Sequence, residues 1–192
     1  MRSIVTTVLA GVCAMLASVA VAGVIELTPA NPQPSGVKQG LRVWYFTGDR
    51  QVRRLVEAQS RIKKHRKAGK PLAGFNYPDK GKGAPVLTAG ISELVVADIR
   101  GYIKFDKPGV YKLEFFSNDG SQIWIGGKEV AKLNKITACA SAGRPQVNVP
   151  KAGWYDFKAL YFQKEGTACL ESEWTPPGGK RKLIPNSAFG YK

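Results

Sequence analysis

Asn118-Asp119-Gly120, inside the run FFSNDGSQIWIGGKEV, sets two adjacent oxygen-bearing side chains before a glycine and between two apolar stretches. That pattern suits a tight hairpin turn, with Gly120 supplying positive φ and Asp119 bonding the backbone. The same side-chain oxygens, carried on a loop between strands, are ligand groups. The residues themselves favour the turn and leave the binding site as the alternative.

A second constellation is cationic. Arg50, Arg53, Arg54, Arg61, Lys63, Lys64, Arg66, Lys67 and Lys70 crowd one short segment that holds only Asp49 and Glu57 as acids. Neighbouring like charges on a helix repel by a few tenths of a kcal/mol per pair, which points to a polyanionic partner that offsets them. Loop aromatics Phe75 and Tyr77 follow and are candidates for exposed ligand contacts. Trp44, Trp124, Trp154 and Trp174 invite a sugar-stacking reading, but in the alternation of Ala168, Leu170, Ser172 and Trp174 one face looks inward, which places Trp174 in the core.

Catalytic chemistry has little to work with. His65 is the single histidine and has no carboxylate near it in sequence. No G-x-S-x-G, H-E-x-x-H, phosphate-loop or dinucleotide fingerprint occurs. A glycosidase needs two carboxylates facing across a cleft, and the acids are few and unpatterned. The chain reads as a non-enzyme.

The elements that position these residues are mostly strands. Leu41 to Phe46, Leu94 to Phe105, Val110 to Ser117, Gln122 to Gly126, Gln146 to Val149, Trp154 to Gln163 and Ala168 to Trp174 are branched and aromatic runs, many of them closed by Gly, Asn, Asp or Pro. This spacing predicts an all-β sandwich or barrel. The exception is Asp49 to Gly69, where Val52, Leu55, Val56, Gln59 and Ile62 recur at helical spacing and Asp49 is placed to cap. An amphipathic helix there would present its cations to solvent.

Residues 1–22 begin with Arg2, continue through an apolar stretch and end in A-V-A, the pattern of a secretory signal cleaved after Ala22, with an uncleaved anchor as the alternative. Residues 23–40 (with TPANPQPSGVKQG) read as a Pro-rich lead-in or linker. The domain then runs over 41–187 with a basic insertion at 49–85 and a tail at 188–192. Cys13 falls in the signal, so Cys139 and Cys169 remain as an even pair for one disulfide in an oxidising compartment.

Lys and Arg number 29 against 14 Asp and Glu, a formal net charge of +15. Such a surface attracts polyanions: acidic polysaccharide, lipopolysaccharide, wall polymers, anionic lipid, or nucleic acid bound without specificity. It also serves plain solubility.

Taken in order, IRGYIKFDKPGVYKLEFFSNDGSQIWIGGKEV (99–130), PKAGWYDFKALYFQKEGTACLESEW (150–174), PPGGKRKLIP (176–185) and the opening LRVWYF resemble the PA14 domain family. The resemblance covers Leu41 to Ile184, apart from the basic insertion. It implies a β-sandwich of barrel-like shape used as an exported binding module. In the family's fungal adhesin members two adjacent aspartates coordinate Ca²⁺, which bridges to sugar hydroxyls; the matching positions are Asn118 and Asp119. Asn118 removes one of the two negative charges, and the strongly positive chain further disfavours a dication. No other cofactor is implied. The expectation is an exported (periplasmic, secreted or surface) module that binds a glycan or anionic glycopolymer, with no span left after signal cleavage. The second reading is an assembly component docked on an envelope protein, tethered by the Pro-rich segment.

Overall fold

Alternation governs the long strands: Tyr111, Leu113 and Phe115 are buried while Val110 and Lys112 are exposed. The computed structural model describes residues 23–48 and 51–192. Along the chain lie β1 (Ile25–Glu26), β2 (Lys38–Gln39), β3 (Arg42–Thr47), α1 (Leu55–Lys64), β4 (Lys67–Ala68), β5 (Val95–Phe105), β6 (Gly109–Asn118), β7 (Gly120–Ile125) and β8 (Lys128–Leu133). There follow β9 (Ala140–Gly143), β10 (Gln146–Val149), β11 (Gly153–Gln163), β12 (Cys169–Thr175), β13 (Lys182–Leu183) and β14 (Phe189–Tyr191).

The strands form two sheets. One runs β1-β10-β6-β12-β13, with β9 also on β6; the other runs β2-β14-β5-β11-β7-β8, with β3 on β5 and β4 on β3. Ile99, Ile103 and Phe105 from β5 and Tyr155, Phe157 and Tyr161 from β11 meet Tyr111, Leu113, Phe115, Leu170 and Trp174 of the facing sheet. The fold is an all-β sandwich, as the strand spacing predicts.

A second, smaller core lies on the outer face of the eight-stranded sheet. Val52 and α1 residues Leu55, Ala58 and Ile62 pack on Val96, Leu160 and Phe162. Each fully buried aliphatic side chain contributes about 1.5–3 kcal/mol, enough to hold a three-turn helix that is marginal alone. Covered on both faces, the first half of β5 reads VVADI, nearly continuous in apolar residues. The helix is shorter than the spacing predicts. It begins at Leu55, whose N–H donates to Asn134 Oδ1 at 2.8 Å, so the cap comes from a distant loop. Asp49, the expected cap, lies outside the described residues. Val56 is 72% exposed and Ala58 takes its place in the apolar stripe.

Three expected features sit differently in the fold, and of lead-in or linker it is the lead-in that describes residues 23–40. The Pro-rich stretch is not a free linker: β1 joins β10 in parallel, Leu27 is buried, and Gln33 bonds both the N–H and the carbonyl of Trp154. The expected tail is not free either, because Phe189 is buried and β14 pairs with β5 and β2. Lastly, FFSNDGSQIWI is not a hairpin. β6 belongs to one sheet and β7 to the other, so Asp119 is the corner where the chain crosses the sandwich. Gly120 has no positive φ there; a Cβ on it would meet the Phe162 ring at 2.3 Å, and close approach is what requires glycine. The positive-φ pair sits one turn later, at Gly126 and Gly127 between β7 and β8.

The sulfurs of Cys139 and Cys169 are joined, with Cα atoms 5.8 Å apart. The bond fastens the loop after β8 to the start of β12, where Cys169 pairs with Asn118. No helix among the described residues is long and apolar enough to cross a membrane. The signal-like segment 1–22 lies outside the described residues.

Candidate functional site

The Asn118–Asp119 corner is buried and tied into hydrogen bonds. Its connecting peptide is cis. Thr137 N–H donates to Asp119 Oδ1 at 2.9 Å and Lys164 N–H to Asp119 Oδ2 at 2.8 Å. Ser117 hydroxyl donates to the Asp119 carbonyl at 2.9 Å and shares a hydrogen bond with Ser121 at 2.8 Å. The Tyr161 hydroxyl donates to the Asn118 carbonyl, and Asn118 Nδ2 donates to Thr167 Oγ1 at 3.2 Å. Burial raises the Asp119 pKa above the ordinary carboxylate value, and the two backbone donors oppose this only in part.

The hydrogen bonds at the corner compete with any Ca²⁺ for its oxygens. The ion takes six to eight oxygens, whereas here one carboxylate already accepts two backbone N–H groups and the neighbouring amide turns its N–H₂ to Thr167. Among the described residues no group of three His, Cys, Asp or Glu side chains is placed to hold a metal.

Phe75 is not an exposed contact. It is fully buried, edge-on to Phe115 and Phe157 with centroids 6.1 and 5.2 Å away. Its apolar ring gains more in the core than in a polar loop. Tyr77 is half-buried and bridges the insertion to the sandwich: its backbone exchanges hydrogen bonds with Leu170, and its hydroxyl accepts Ala73 N–H at 3.2 Å.

The cationic segment divides. Arg50 lies outside the described residues. Arg53, Arg54, Lys63, Lys64, Arg66 and Lys67 are exposed, and Arg61 is half-buried with its guanidinium 5.9 Å from the Phe46 ring centroid. Arg66 leaves the end of α1 and reaches back to the sheet. There it pairs with Asp98 at 3.1 Å and lies 5.1 Å over the Trp44 ring.

Beside that contact Trp124 joins three cations that the sequence does not single out. Strand register places Arg42 of β3 opposite Arg100 of β5, Arg100 opposite Lys158 of β11, and Lys158 opposite Trp124 of β7. All four side chains stand on the outer face, on strands about 4.8 Å apart. Like charges directly opposite in a sheet are destabilising. Three contacts soften the row: Arg100 forks onto Asp98 at 2.9–3.2 Å, Arg42 lies 5.7 Å over Tyr191, and Lys158 Nζ lies 4.8 Å over Trp124. The period-two alternation of GWYDFKALYFQ marks Lys158 as outward; the register to Arg100 and Trp124 is a tertiary fact with no local signal.

The tryptophans divide accordingly. Trp174 is core, whereas Trp44, Trp124 and Trp154 are half-buried on the outer face, because the inward positions of their strands are filled by residues such as Tyr45, Ile123 and Tyr155. The row borders a depression of about 250 Å³ that also takes in Lys63 and Arg66 from the helix side.

The opposite sheet carries a second depression, of about 280 Å³, around Glu114. There Arg144 (2.7 Å) and Arg181 (2.8 Å) both pair with Glu114, and Arg181 also bonds Glu173. Its charges are largely answered within the protein.

The family model of the PA14 domain matches residues 90–188. No curated protein matches the sequence. Among solved structures, the PA14 domain of the MpAFP antifreeze protein is similar with a TM-score of 0.68 at 11% identity, covering 82% of this chain and 93% of that one. A PA14 sugar-binding domain from an RTX adhesin gives 0.63 at 14% identity over 80% and 99%. The A domain of epithelial adhesin 9 from Candida glabrata, in complex with Galβ1-4GlcNAc, gives 0.64 at 14% identity over 88% and 95%.

Proposed function

The chain belongs to the PA14 domain family, and we propose that it is an exported, non-catalytic binding module that holds an anionic glycan against its cationic outer face. The observation that carries this reading is the row Arg42, Arg100 and Lys158 beside Trp124, overhung by Lys63 and Arg66. Cations set directly opposite one another cost stability in the free protein, and an anionic ligand offsets that cost. Sugar binding by the RTX adhesin domain and the Candida adhesin domain supports the carbohydrate part. The non-catalytic part rests on the acids: Asp98 and Glu114, buried on opposite faces, are each held by two arginines, which suits neither a general acid nor a nucleophile. Export is supported by the signal-like start together with the Cys139–Cys169 bond.

The test is a glycan array probed with residues 23–192, in Ca²⁺ and in EDTA, at two salt concentrations. The expected result is binding to acidic glycans that ignores EDTA and falls with salt. Binding abolished by EDTA would return the site to Asn118 and Asp119. Silence on all glycans, with one stoichiometric protein captured instead, would replace this reading with envelope assembly.

A further inference from the structure

Two depressions flank the Trp124–Lys158 pair, and they differ in charge. The one toward α1 is bordered by Lys63, Arg66, Arg100 and Lys158 against the single carboxylate of Asp98, which already takes both guanidinium groups. The one toward the Gly126–Gly127 turn, about 260 Å³, is bordered by Trp124, Gly127, Asp156 and Lys158, one cation against one carboxylate. Each is smaller than the ~300–1,000 Å³ of a drug-sized pocket, and each suits one sugar residue. Asp156 is exposed and unengaged by any side-chain partner among the described residues, so its oxygens are free to accept sugar hydroxyls.

We propose that these are two adjacent sugar subsites, the first for an acidic residue and the second for a neutral one, so that the ligand is a polysaccharide in which acidic and neutral sugars alternate. The inference rests on the glycan reading above and narrows it. Lys158 is the divider: held over the Trp124 ring at 4.8 Å, its ammonium is positioned to meet the acidic group of the first residue. The same geometry disfavours nucleic acid. Single strands bind by stacking bases on free aromatic faces, and here cations lie over the Trp124 and Trp44 rings.

The experiment is isothermal titration of residues 23–192 with three hexasaccharides. These are hyaluronan, which alternates uronate with neutral N-acetylhexosamine; galacturonan, which carries a uronate at every residue; and chitin, which is neutral throughout. A six-residue thymidine oligonucleotide serves as competitor. Hyaluronan should bind at least about tenfold more tightly than either homopolymer, about the effect of one charge-assisted contact. Lys158→Gln should weaken hyaluronan about tenfold, and Asp156→Asn should weaken hyaluronan while leaving galacturonan no weaker, since it removes the carboxylate that repels a second uronate. Both residues are exposed, and circular dichroism checks that the variants fold. Equal affinity for hyaluronan and galacturonan, indifference to both substitutions, equal displacement by the oligonucleotide, or no binding by either uronate ligand each overturns the alternating subsites. The wider reading fails separately, if the array finds no acidic glycan that binds in a salt-dependent and EDTA-insensitive way.

Discussion

The Asp119 carboxylate and the Lys164 backbone N–H, 45 positions apart in sequence, meet at 2.8 Å. With Thr137 N–H on the other oxygen, one side chain joins the corner between the sheets to the disulfide-held loop and to the exit of β11. Asp119 is thus a buried hub whose loss strands two donors.

Asp119→Ala should therefore destabilise the fold by about 2–3 kcal/mol, the cost of leaving buried donors without an acceptor. Asp119→Asn retains one acceptor oxygen and should cost about half as much. Urea denaturation measures both, and wild-type midpoints in Ca²⁺ and EDTA should coincide. A calcium-dependent midpoint would show that the oxygens of Asn118 and Asp119 take a metal after all.

The Cys139–Cys169 bond should contribute about 3 kcal/mol by limiting the unfolded chain. Replacing both cysteines by Ala should lower the urea midpoint accordingly. The loss should be less than additive with Asp119→Ala, because both act on the loop that carries Thr137. Strict additivity would separate the bond from the corner.

How far the sequence alone reached follows from the range of the forces involved. Strands such as Gln146–Val149 and the ends of β5 and β11 were legible because alternation and turn residues are local. Lys128–Leu133 escaped: KEVAKL carries helix-forming residues, and it is a strand because the Gly126–Gly127 turn folds it against β7. The cations of 50–67 were visible as composition. The row from Arg42 to Trp124 was not, since its members come from four strands and meet only through register. The place of Phe75 is illegible for a similar reason, because nothing local says that a loop ring plugs a sandwich core.

Asn134 offers a check on how α1 is held. Its Oδ1 accepts the Leu55 N–H at 2.8 Å, and Glu57 Oε2 accepts Arg53 N–H at 3.0 Å. Asn134→Ala should cost about 1 kcal/mol, as for lost helix caps. Amide exchange should accelerate in α1 and leave β5 and β11 protected. Equal acceleration across β11 would mean that helix and sheet open as one unit.

The last prediction concerns alkaline pH. Tyr45 lies under Thr88, accepting its N–H at 3.1 Å and sharing a hydrogen bond with its hydroxyl at 2.8 Å. Burial pushes its pKa from 10.0 up to about 12. The folded state thus holds the proton more tightly than the unfolded chain. The stabilisation is complete below pH 10 and is lost as pH rises from 10 toward 12. Two units correspond to about 2–3 kcal/mol. Tyr45→Phe removes this titration along with the Thr88 contacts, so the variant should start about 1 kcal/mol below wild type at pH 8. Buried Tyr161, also raised by desolvation, keeps some alkaline slope in both proteins. Urea midpoints of the two should therefore meet soon after pH 10 and cross before pH 12, with wild type ending below the variant; parallel curves would mean that Tyr45 ionises no less easily in the fold than in the unfolded chain.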